Sequence, residues 1–396
     1  MKETLAQLLQ LDRDFVLPTY GRELMLVRGE GSRVWDYYGN EYLDFGMGIS
    51  VCNLGHCHPA VTAAIQEQAA RLVHCSNLYH NELQARLAAV IAGLSFGGKV
   101  FFCNSGAEAN EGMIKFARRW GSRNGARSEI ICASHCFHGR TLATLAATAT
   151  AKYREGFAPD MGGFVFATYN DLQAVRDAIN SNTVAVMVEP VQGEGGVHPA
   201  SKEFMQGLRQ LCDEKNLLLL LDEVQTGMGR CGHYFAYENF GIVPDAISLA
   251  KALGNGFPMG AFVIRSDYAS LFAPGVHGST FGGTPLACAA SLAVFRTMEE
   301  ENVIDNVRQM SRYLFARLEE LKREFAMIKE VRGLGLLIGL QIGDKVKELQ
   351  KACLDQRLLV LTAGEGVLRM LPSLKVSREE IDQACQRLRQ ALLSLT

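Results

Sequence analysis

A lysine stands directly after a mainly apolar run in the middle of the sequence. Lys251 follows residues 246–249 (Ala-Ile-Ser-Leu) and precedes Gly254. Burial lowers the pKa of a lysine amine, and the neutral amine is the nucleophile that forms an imine with a carbonyl group. The segment could therefore bind a carbonyl compound covalently. Taken alone, however, the position is explained more simply by a strand-end lysine that extends to solvent.

Two carboxylates, Asp222 and Glu223, end a second apolar run. Ligands of open α/β sheets gather at the carboxyl ends of the strands. A carboxylate placed there can keep a pyridinium nitrogen protonated, so that a cofactor ring accepts electrons. The alternative is a metal-binding or Walker-B-like acid, although no Gly-x-x-x-x-Gly-Lys-Ser/Thr sequence accompanies it.

Two further segments could bind anions. Residues 104–110 (Asn-Ser-Gly-Ala-Glu-Ala-Asn) follow a predicted strand and begin an amphipathic helix, where small residues let backbone N–H groups approach a phosphate. A simple helix cap is the alternative. In the second segment, Phe137 could stack on a planar ring and Arg140 could bind a carboxylate. We interpret His138, which lies between them, as a structural histidine.

The elements that must position these residues are predicted from apolar runs. Nearly continuous runs indicate strands buried on both faces of a mostly parallel sheet. The runs span residues 100–103, 129–132, 183–188, 217–222, 246–249 and 260–264. A helical pattern at residues 203–214 lies between two of them, as in an α/β fold.

The last hundred residues have a different pattern. Residues 303–321 and 381–392 carry apolar stripes of helical spacing, and residues 328–342 and 358–370 are predicted strands. We expect a smaller α+β domain here, joined by the N-terminal segment. The predicted division is 1–50 for the N-terminal part of the small domain, 51–295 for the large domain and 296–396 for the rest of the small domain.

Composition excludes several partners. The 396 residues carry a formal net charge of −2, which favours neither nucleic acid nor an anionic membrane as a partner. The N-terminus lacks the apolar stretch of a secretory signal, and the 11 cysteines form no regular pattern, so a cytoplasmic location with reduced thiols is expected. Two Cys/His clusters lack the paired spacing of zinc sites, and we expect no metal. They are Cys52, His56, Cys57 and His58, and Cys132, His135 and Cys136.

Seven ordered motifs, spread over nearly the whole chain, resemble those of the class III aminotransferases, which are pyridoxal 5′-phosphate (PLP) enzymes of fold type I. The motifs are residues 76–79, 104–110, 137–140, 189–195, 221–227, 248–254 and 278–283. The resemblance implies a large domain with a mostly parallel central sheet and a smaller domain built from both ends of the chain. It also implies a homodimer with shared active sites.

The same resemblance assigns roles to single positions. It implies that Lys251 binds the cofactor covalently and that Asp222 contacts the pyridine nitrogen, which makes these two the catalytic residues. The other implied cofactor contacts are Ser105, Gly106, Ala107, Phe137, Gln225 and Thr280, with Thr280 reaching the neighbouring subunit. The implied substrate contacts are Arg140, Glu194, Ser279 and Arg369.

The implied reaction moves the terminal amino group of N2-acetylornithine to 2-oxoglutarate, a step of arginine biosynthesis. The resemblance implies that Glu194 masks Arg369 in one half-reaction and releases it in the other. Ornithine, succinylornithine and 4-aminobutyrate remain alternative donors. A decarboxylase, racemase or aminomutase on the same fold is also open, since a fold does not fix the reaction.

Overall fold

The computed structural model describes residues 3–395, which contain both strands and helices along their whole length. The strands are β1 (Leu26–Glu30), β2 (Arg33–Asp36), β3 (Glu41–Asp44), β4 (Lys99–Cys103), β5 (Glu129–Ala133), β6 (Phe164–Ala167), β7 (Thr183–Val188), β8 (Val191–Gln192), β9 (His198–Pro199), β10 (Leu218–Asp222), β11 (Ala246–Leu249), β12 (Gly260–Ile264), β13 (Glu330–Leu334), β14 (Leu337–Gln341), β15 (Leu358–Leu359), β16 (Leu361–Ala363) and β17 (Val367–Met370). The helices are α1 (Leu5–Phe15), α2 (Met47–Ser50), α3 (Pro59–Ala69), α4 (Glu82–Leu94), α5 (Gly106–Arg123), α6 (Leu142–Ala146), α7 (Ala151–Arg154), α8 (Leu172–Ala178), α9 (Lys202–Lys215), α10 (Pro285–Glu300), α11 (Val303–Glu324), α12 (Val346–Asp355) and α13 (Arg378–Leu393).

The central sheet has seven strands in the order β4-β12-β11-β10-β7-β5-β6. Neighbouring strands are parallel except around β12, which runs antiparallel to β4 and to β11. The prediction of an α/β fold with a mostly parallel sheet is therefore confirmed. Because all strands but β12 run the same way, their carboxyl ends meet at one edge of the sheet.

The central strands are buried on both faces, and this explains why they read as apolar runs rather than as alternating patterns. β7, β10 and β11 are buried at every position. All six predicted strands are present, with ends that differ by no more than about one residue from the prediction. β6 was not predicted; it is a short edge strand that is only partly buried.

Two four-stranded sheets lie outside the central sheet. One has the order β1-β2-β3-β15 and joins the two ends of the chain, because β3 pairs with Leu358–Leu359; the other has the order β13-β14-β17-β16 and contains only C-terminal strands. The range 328–342 predicted as strand is a hairpin of β13 and β14. The domain limits at 50 and 295 stay a prediction, and α10 continues across residue 295 to Glu300.

The two predicted helical stripes are buried. In α11 the buried residues are Val303, Val307, Met310, Leu314, Leu318 and Leu321, and in α13 they include Ile381, Cys385, Leu388 and Leu392. Burying one apolar face of each helix is the main source of its stability. None of the helices within residues 3–395 is long and apolar enough to span a lipid bilayer.

Candidate active site

A cavity of about 470 Å³ opens at the carboxyl edge of the central sheet. Residues that follow β4, β5, β7, β10 and β11 line it, together with residues before β12 and Val51 from the N-terminal segment. Nine of the residues predicted for the site lie in its wall: Ser105, Gly106, Ala107, Phe137, Arg140, Glu194, Asp222, Gln225 and Lys251.

Asp222 is a buried, fully hydrogen-bonded carboxylate in this wall. Its Oδ2 accepts hydrogen bonds from His138 Nδ1 at 2.8 Å and from Asn110 Nδ2 at 2.7 Å, and its Oδ1 accepts one from the Val224 amide at 3.0 Å. Burial alone would raise the pKa of Asp222, but the bonds and charge of His138, with the other donors, hold that pKa below its usual value. The carboxylate therefore stays charged in spite of its burial.

Lys251 has a half-buried side chain at the cavity wall and a strained backbone with φ of 46°. Within residues 3–395, its amine has neither a hydrogen bond nor an ion pair. Desolvation lowers the pKa of Lys251, although Glu194 opposes this shift. The amine is thus unpaired and more easily neutral than a surface lysine, as a nucleophile requires.

The amino end of α5 presents backbone donors at another part of the wall. Ser105 caps the helix through its Oγ, which accepts from the Glu108 amide at 3.2 Å. The amides of Gly106 and Ala107 belong to the first turn and have no acceptor within the helix. A Cβ at residue 106 would lie 2.8 Å from the Val224 side chain, so glycine lets the helix start close to the Asp222 strand. This end is suited to bind an anion.

Arg140 and Phe137 stand together beside Tyr153. The Arg140 guanidinium lies 3.5 Å from the centre of the Tyr153 ring and 5.5 Å from that of Phe137. Arg140 has no carboxylate partner among the residues that the structure describes, and its side chain is exposed. The guanidinium is held by aromatic rings while its donors remain available to a ligand.

Glu194, in the cavity wall, forms an ion pair with Arg369, which does not itself line the cavity. Arg369 Nη2 lies 2.8 Å from Glu194 Oε1, and Nη1 donates to Gln225 Oε1 at 3.3 Å. Arg369 is only 2% exposed, and its Nε has no partner within the described part of the chain. Its charge is therefore covered by Glu194.

Like Arg369, the last two predicted residues, Ser279 and Thr280, do not line this cavity. Ser279 Oγ accepts hydrogen bonds from Asn104 Nδ2 at 3.3 Å and from the Gly282 amide at 3.0 Å. Thr280 lies in the exposed stretch that follows, beside residues 74–77. Ser279 thus contacts Asn104 of the wall without lining the cavity itself, and Thr280 does not line it either; the contribution of both residues to a second subunit stays a prediction.

Sequence reasoning gave no role to two buried residues of the site. Asn110 donates to Asp222, and it lies on the buried face of α5 among apolar residues, which is the signal that could have identified it. Glu189 ends the buried run of β7, as Asp222 ends that of β10, and its Oε2 accepts from the Phe137 amide at 3.2 Å. Burial raises the pKa of Glu189. His138, interpreted as a structural histidine, is buried and donates from Nδ1 to Asp222.

The Cys/His clusters have other partners. His56 Nε2 lies 2.8 Å from Asp44 Oδ2, and His58 Nε2 lies 3.0 Å from Lys375 Nζ. In residues 3–395 there is no group of three or more Cys, His, Asp or Glu side chains that could hold a metal ion.

An α/β sheet whose carboxyl edge carries an unpaired lysine, a charged aspartate and a free helix end has the groups that a PLP-dependent enzyme requires. Residues 18–392 match the family described as Aminotransferase class-III, and the chain belongs to this family. Class III aminotransferases use PLP, and their substrates are an amine donor and a keto acid.

Known proteins similar to this chain are also aminotransferases. The acetylornithine aminotransferase of Caldanaerobacter subterraneus is 48% identical over 95% of this chain and 96% of its own length. A Pseudomonas aeruginosa protein named succinylornithine transaminase/acetylornithine aminotransferase is 44% identical over 98% of both chains. The solved structure of ornithine aminotransferase from Toxoplasma gondii has a TM-score of 0.95 at 32% identity, and the match covers 100% of this chain and 96% of that one.

Proposed function

We propose that this enzyme transfers the terminal amino group of N2-acetylornithine to 2-oxoglutarate, giving N-acetylglutamate 5-semialdehyde and glutamate, as a step of arginine biosynthesis. The main support is a pair of arginines, of which Arg140 is free in the cavity wall and Arg369 is covered by the wall residue Glu194. A donor that reacts at its terminal amine has one α-carboxylate, remote from the reacting carbon. Glutamate has a carboxylate at the reacting carbon and a second one at its far end.

The residues of the cavity fit PLP at three polar points. The amides of Gly106 and Ala107 with the Ser105 hydroxyl can bind its phosphate, the Asp222 carboxylate can bind its protonated ring nitrogen, and Lys251 can bind its carbonyl carbon. Phe137 offers a ring face and Gln225 an amide for the ring hydroxyl. When bound, PLP supplies a ring that accepts electrons from the donor carbon.

We assign the proton transfers to Lys251. With PLP bound, the Lys251 amine, once free, would remove a proton from the donor carbon. Desolvation, which lowers the pKa of Lys251, favours this role, since a base must be neutral before it accepts a proton. Asp222 keeps its charge through its bonds to His138 and Asn110 and so holds the ring nitrogen protonated.

Glu194 and Arg369 give one site two specificities. With the N-acetylated donor, Glu194 stays paired with Arg369, and Arg140 binds the remote carboxylate. With glutamate or 2-oxoglutarate, Glu194 moves away and Arg369 binds the α-carboxylate through two parallel hydrogen bonds. The 29% exposure of the Glu194 side chain, against 2% for Arg369, supports the idea that the glutamate is the partner that moves.

We further propose a homodimer in which Thr280 contacts the PLP phosphate of the neighbouring subunit and Ser279 contacts its substrate. Two observations support this arrangement. Both residues lie outside their own chain's cavity, and large apolar side chains near them, including Leu78, Tyr79 and Phe281, are exposed.

A panel of single amines tests the proposed function. The PLP form is mixed with N-acetylornithine, N-succinylornithine, ornithine or 4-aminobutyrate, and its conversion to the pyridoxamine form is followed by absorbance. We expect N-acetylornithine to have the highest kcat/KM. Succinylornithine is the second candidate, because the Pseudomonas aeruginosa relative carries both names. The assignment is wrong if N-acetylornithine fails while ornithine or 4-aminobutyrate reacts.

A further inference from the structure

Arg230 is a completely buried arginine without an acidic partner. Its exposure is 0%, and no ion pair of its guanidinium is found in the described range 3–395. A buried charge without a counter-ion is costly unless its donors are hydrogen-bonded. Burial lowers the pKa of Arg230 to about 9. So large a cost at a residue outside the cavity wall calls for a structural role.

Four acceptors from three distant segments satisfy the guanidinium. Nε donates to Ser50 Oγ at 3.0 Å, and Nη2 donates to Asn53 Oδ1. Nη1 donates to the Leu336 carbonyl at 3.0 Å and to the Pro372 carbonyl at 2.6 Å. Arg230 thus ties the N-terminal segment, the turn between β13 and β14, and the end of β17 to the loop that follows Asp222.

These segments lead directly to the Glu194–Arg369 pair. Pro372 is three residues after Arg369, and Gln225, which accepts from Arg369, is five residues before Arg230. The backbone also holds the junction: the Leu336 amide donates to the Arg230 carbonyl at 2.9 Å. A Cβ at Gly335 would lie 2.3 Å from that carbonyl oxygen, so only glycine permits this approach.

The N-terminal segment of this junction is strained. In α2, Met47, Gly48, Ile49 and Ser50 have φ angles of 48°, 65°, 64° and 61°, so this element is a left-handed turn, which L-residues rarely form, and not a regular right-handed helix. Such a turn persists only where surrounding contacts hold it. The bond from Arg230 to Ser50 holds its last residue, next to Val51 in the cavity wall.

We propose that Arg230 is a positioning residue for Arg369: it joins the left-handed turn, the β13–β14 turn and the end of β17, and so sets where Arg369 meets Glu194, Gln225 and an incoming α-carboxylate. The inference rests on the proposed role of Arg369. It predicts a selective defect. Without Arg230, the half-reaction with glutamate is impaired more than that with the N-acetylated donor, because only glutamate needs Arg369.

The test compares R230K and R230Q with wild type and R369A. Each PLP form is mixed with glutamate or with the active donor of the amine panel, and the two half-reactions are followed separately. Since a displacement of about 1 Å can cost on the order of 10²-fold in rate, we expect R230Q to lose at least about tenfold more kcat/KM with glutamate than with the donor. R230K keeps some donors and should be intermediate.

Binding gives a readout that needs no turnover. Glutarate, a dicarboxylate without an amine, is titrated calorimetrically into the PLP form of each variant. We expect its Kd to rise in R230Q and in R369A. If R230Q does not fold, S50A, which removes one of the four acceptors, should show a smaller selective defect of the same kind.

Arg127 provides a matched control. Its guanidinium also binds backbone carbonyls, those of Asn124, Thr183 and Asn216 at 2.9, 3.2 and 2.9 Å, but at the amino ends of the sheet strands, away from the cavity. R127Q should lower stability and leave the ratio of the two half-reactions unchanged. Equal losses in both half-reactions for R230Q, with R369A still selective, would overturn the inference and leave the proposed function standing. If R369A itself is unselective, the proposed role of Arg369 fails.

Discussion

At the level of residues, the surroundings of Asp222 and Lys251 fix the protonation state of each side chain. Asp222 is charged because His138 and Asn110 oppose the effect of burial, and Lys251 is more easily neutral because it is desolvated and unpaired. One acid and one amine are thereby held in different states by their surroundings, which is the usual way in which a site prepares acid–base chemistry at neutral pH.

The first prediction concerns Lys251. Lys251→Ala should retain PLP without a covalent bond and lose more than about 10³-fold of kcat, because both the anchor and the general base are removed. Borohydride reduction followed by peptide mapping should label Lys251 in wild type and no residue in the variant. Lys202→Ala, an exposed lysine on α9, should behave like wild type. A variant that keeps both the label and turnover contradicts the assignment.

The second prediction concerns the pH dependence of Asp222. A carboxyl whose pKa is lowered in the folded enzyme keeps its charge until the pH falls through that pKa. In His138→Leu, burial is no longer opposed by the histidine, so the pKa of Asp222 rises and the acid limb of kcat/KM moves to higher pH. His138→Gln can still donate a hydrogen bond and should shift the limb less. An unchanged acid limb in His138→Leu would disprove this coupling.

Much of this site could be predicted from residue types and their positions after apolar runs. Lys251, Asp222 and Arg140 are polar residues that directly follow predicted strands or their loops, and a parallel sheet brings such positions to one edge. The bonds of Asn110 and His138 to Asp222 could not be predicted, because they depend on how α5 and the loop after β5 pack in three dimensions. The positive φ of Lys251 could not be predicted either, because lysine, unlike glycine, is not a residue type that favours positive φ.

At the level of elements, the spacing of apolar residues predicted the helices and strands whose faces are buried. The apolar stripe of α11 is buried as expected, because a helix with one buried face has apolar residues at helical spacing. The continuous apolar runs of β7 and β10 are also buried as expected, because a strand with two buried faces is apolar at every position. The left-handed turn at Met47–Ser50 could not be predicted. Its sequence contains only one glycine, and contacts from distant residues hold it.

A third prediction tests the α11 stripe. Leu314 is fully buried in it, and Leu314→Ala should lower the free energy of unfolding by about 2–5 kcal/mol through lost burial and a cavity. Arg312→Ala, on the exposed side of the same helix, should change it by less than about 0.5 kcal/mol. Denaturant unfolding of the PLP-bound enzyme measures both. Equal effects would show that the stripe does not stabilise the fold.

At the level of the whole molecule, the site of one chain is incomplete if Thr280 serves a neighbour. A hybrid dimer of one Lys251→Ala subunit and one Thr280→Ala subunit then contains one intact site and one doubly defective site. We expect about half of the wild-type activity per dimer, because one of the two sites is intact. Limiting PLP makes the loss of Thr280 visible, because the missing hydroxyl bond to a charged phosphate costs roughly 1.5–3 kcal/mol of binding free energy. Differently tagged subunits, co-expressed and purified as hybrids, allow the measurement.

The parent homodimers are the controls for this fourth prediction. Lys251→Ala should be inactive, and Thr280→Ala should need more PLP for the same activity. If Thr280 instead serves its own chain, the subunit that retains Lys251 has no Thr280 in its site. The hybrid then binds PLP as weakly as the Thr280→Ala parent, and this outcome contradicts the prediction.

The pairing of β3 with β15 has a consequence for biosynthesis. Leu43 and Asp44 pair with Leu358 and Leu359, and Ser373 Oγ donates to the Asn53 carbonyl across 320 positions of the sequence. A ribosome must release almost the entire polypeptide before these contacts form, so β3, although paired with β2, waits for its second neighbour while the central sheet is already able to collapse. Nascent chains stalled before residue 358 should therefore expose β3 as an open edge, which makes them substrates for chaperones rather than partially active enzymes.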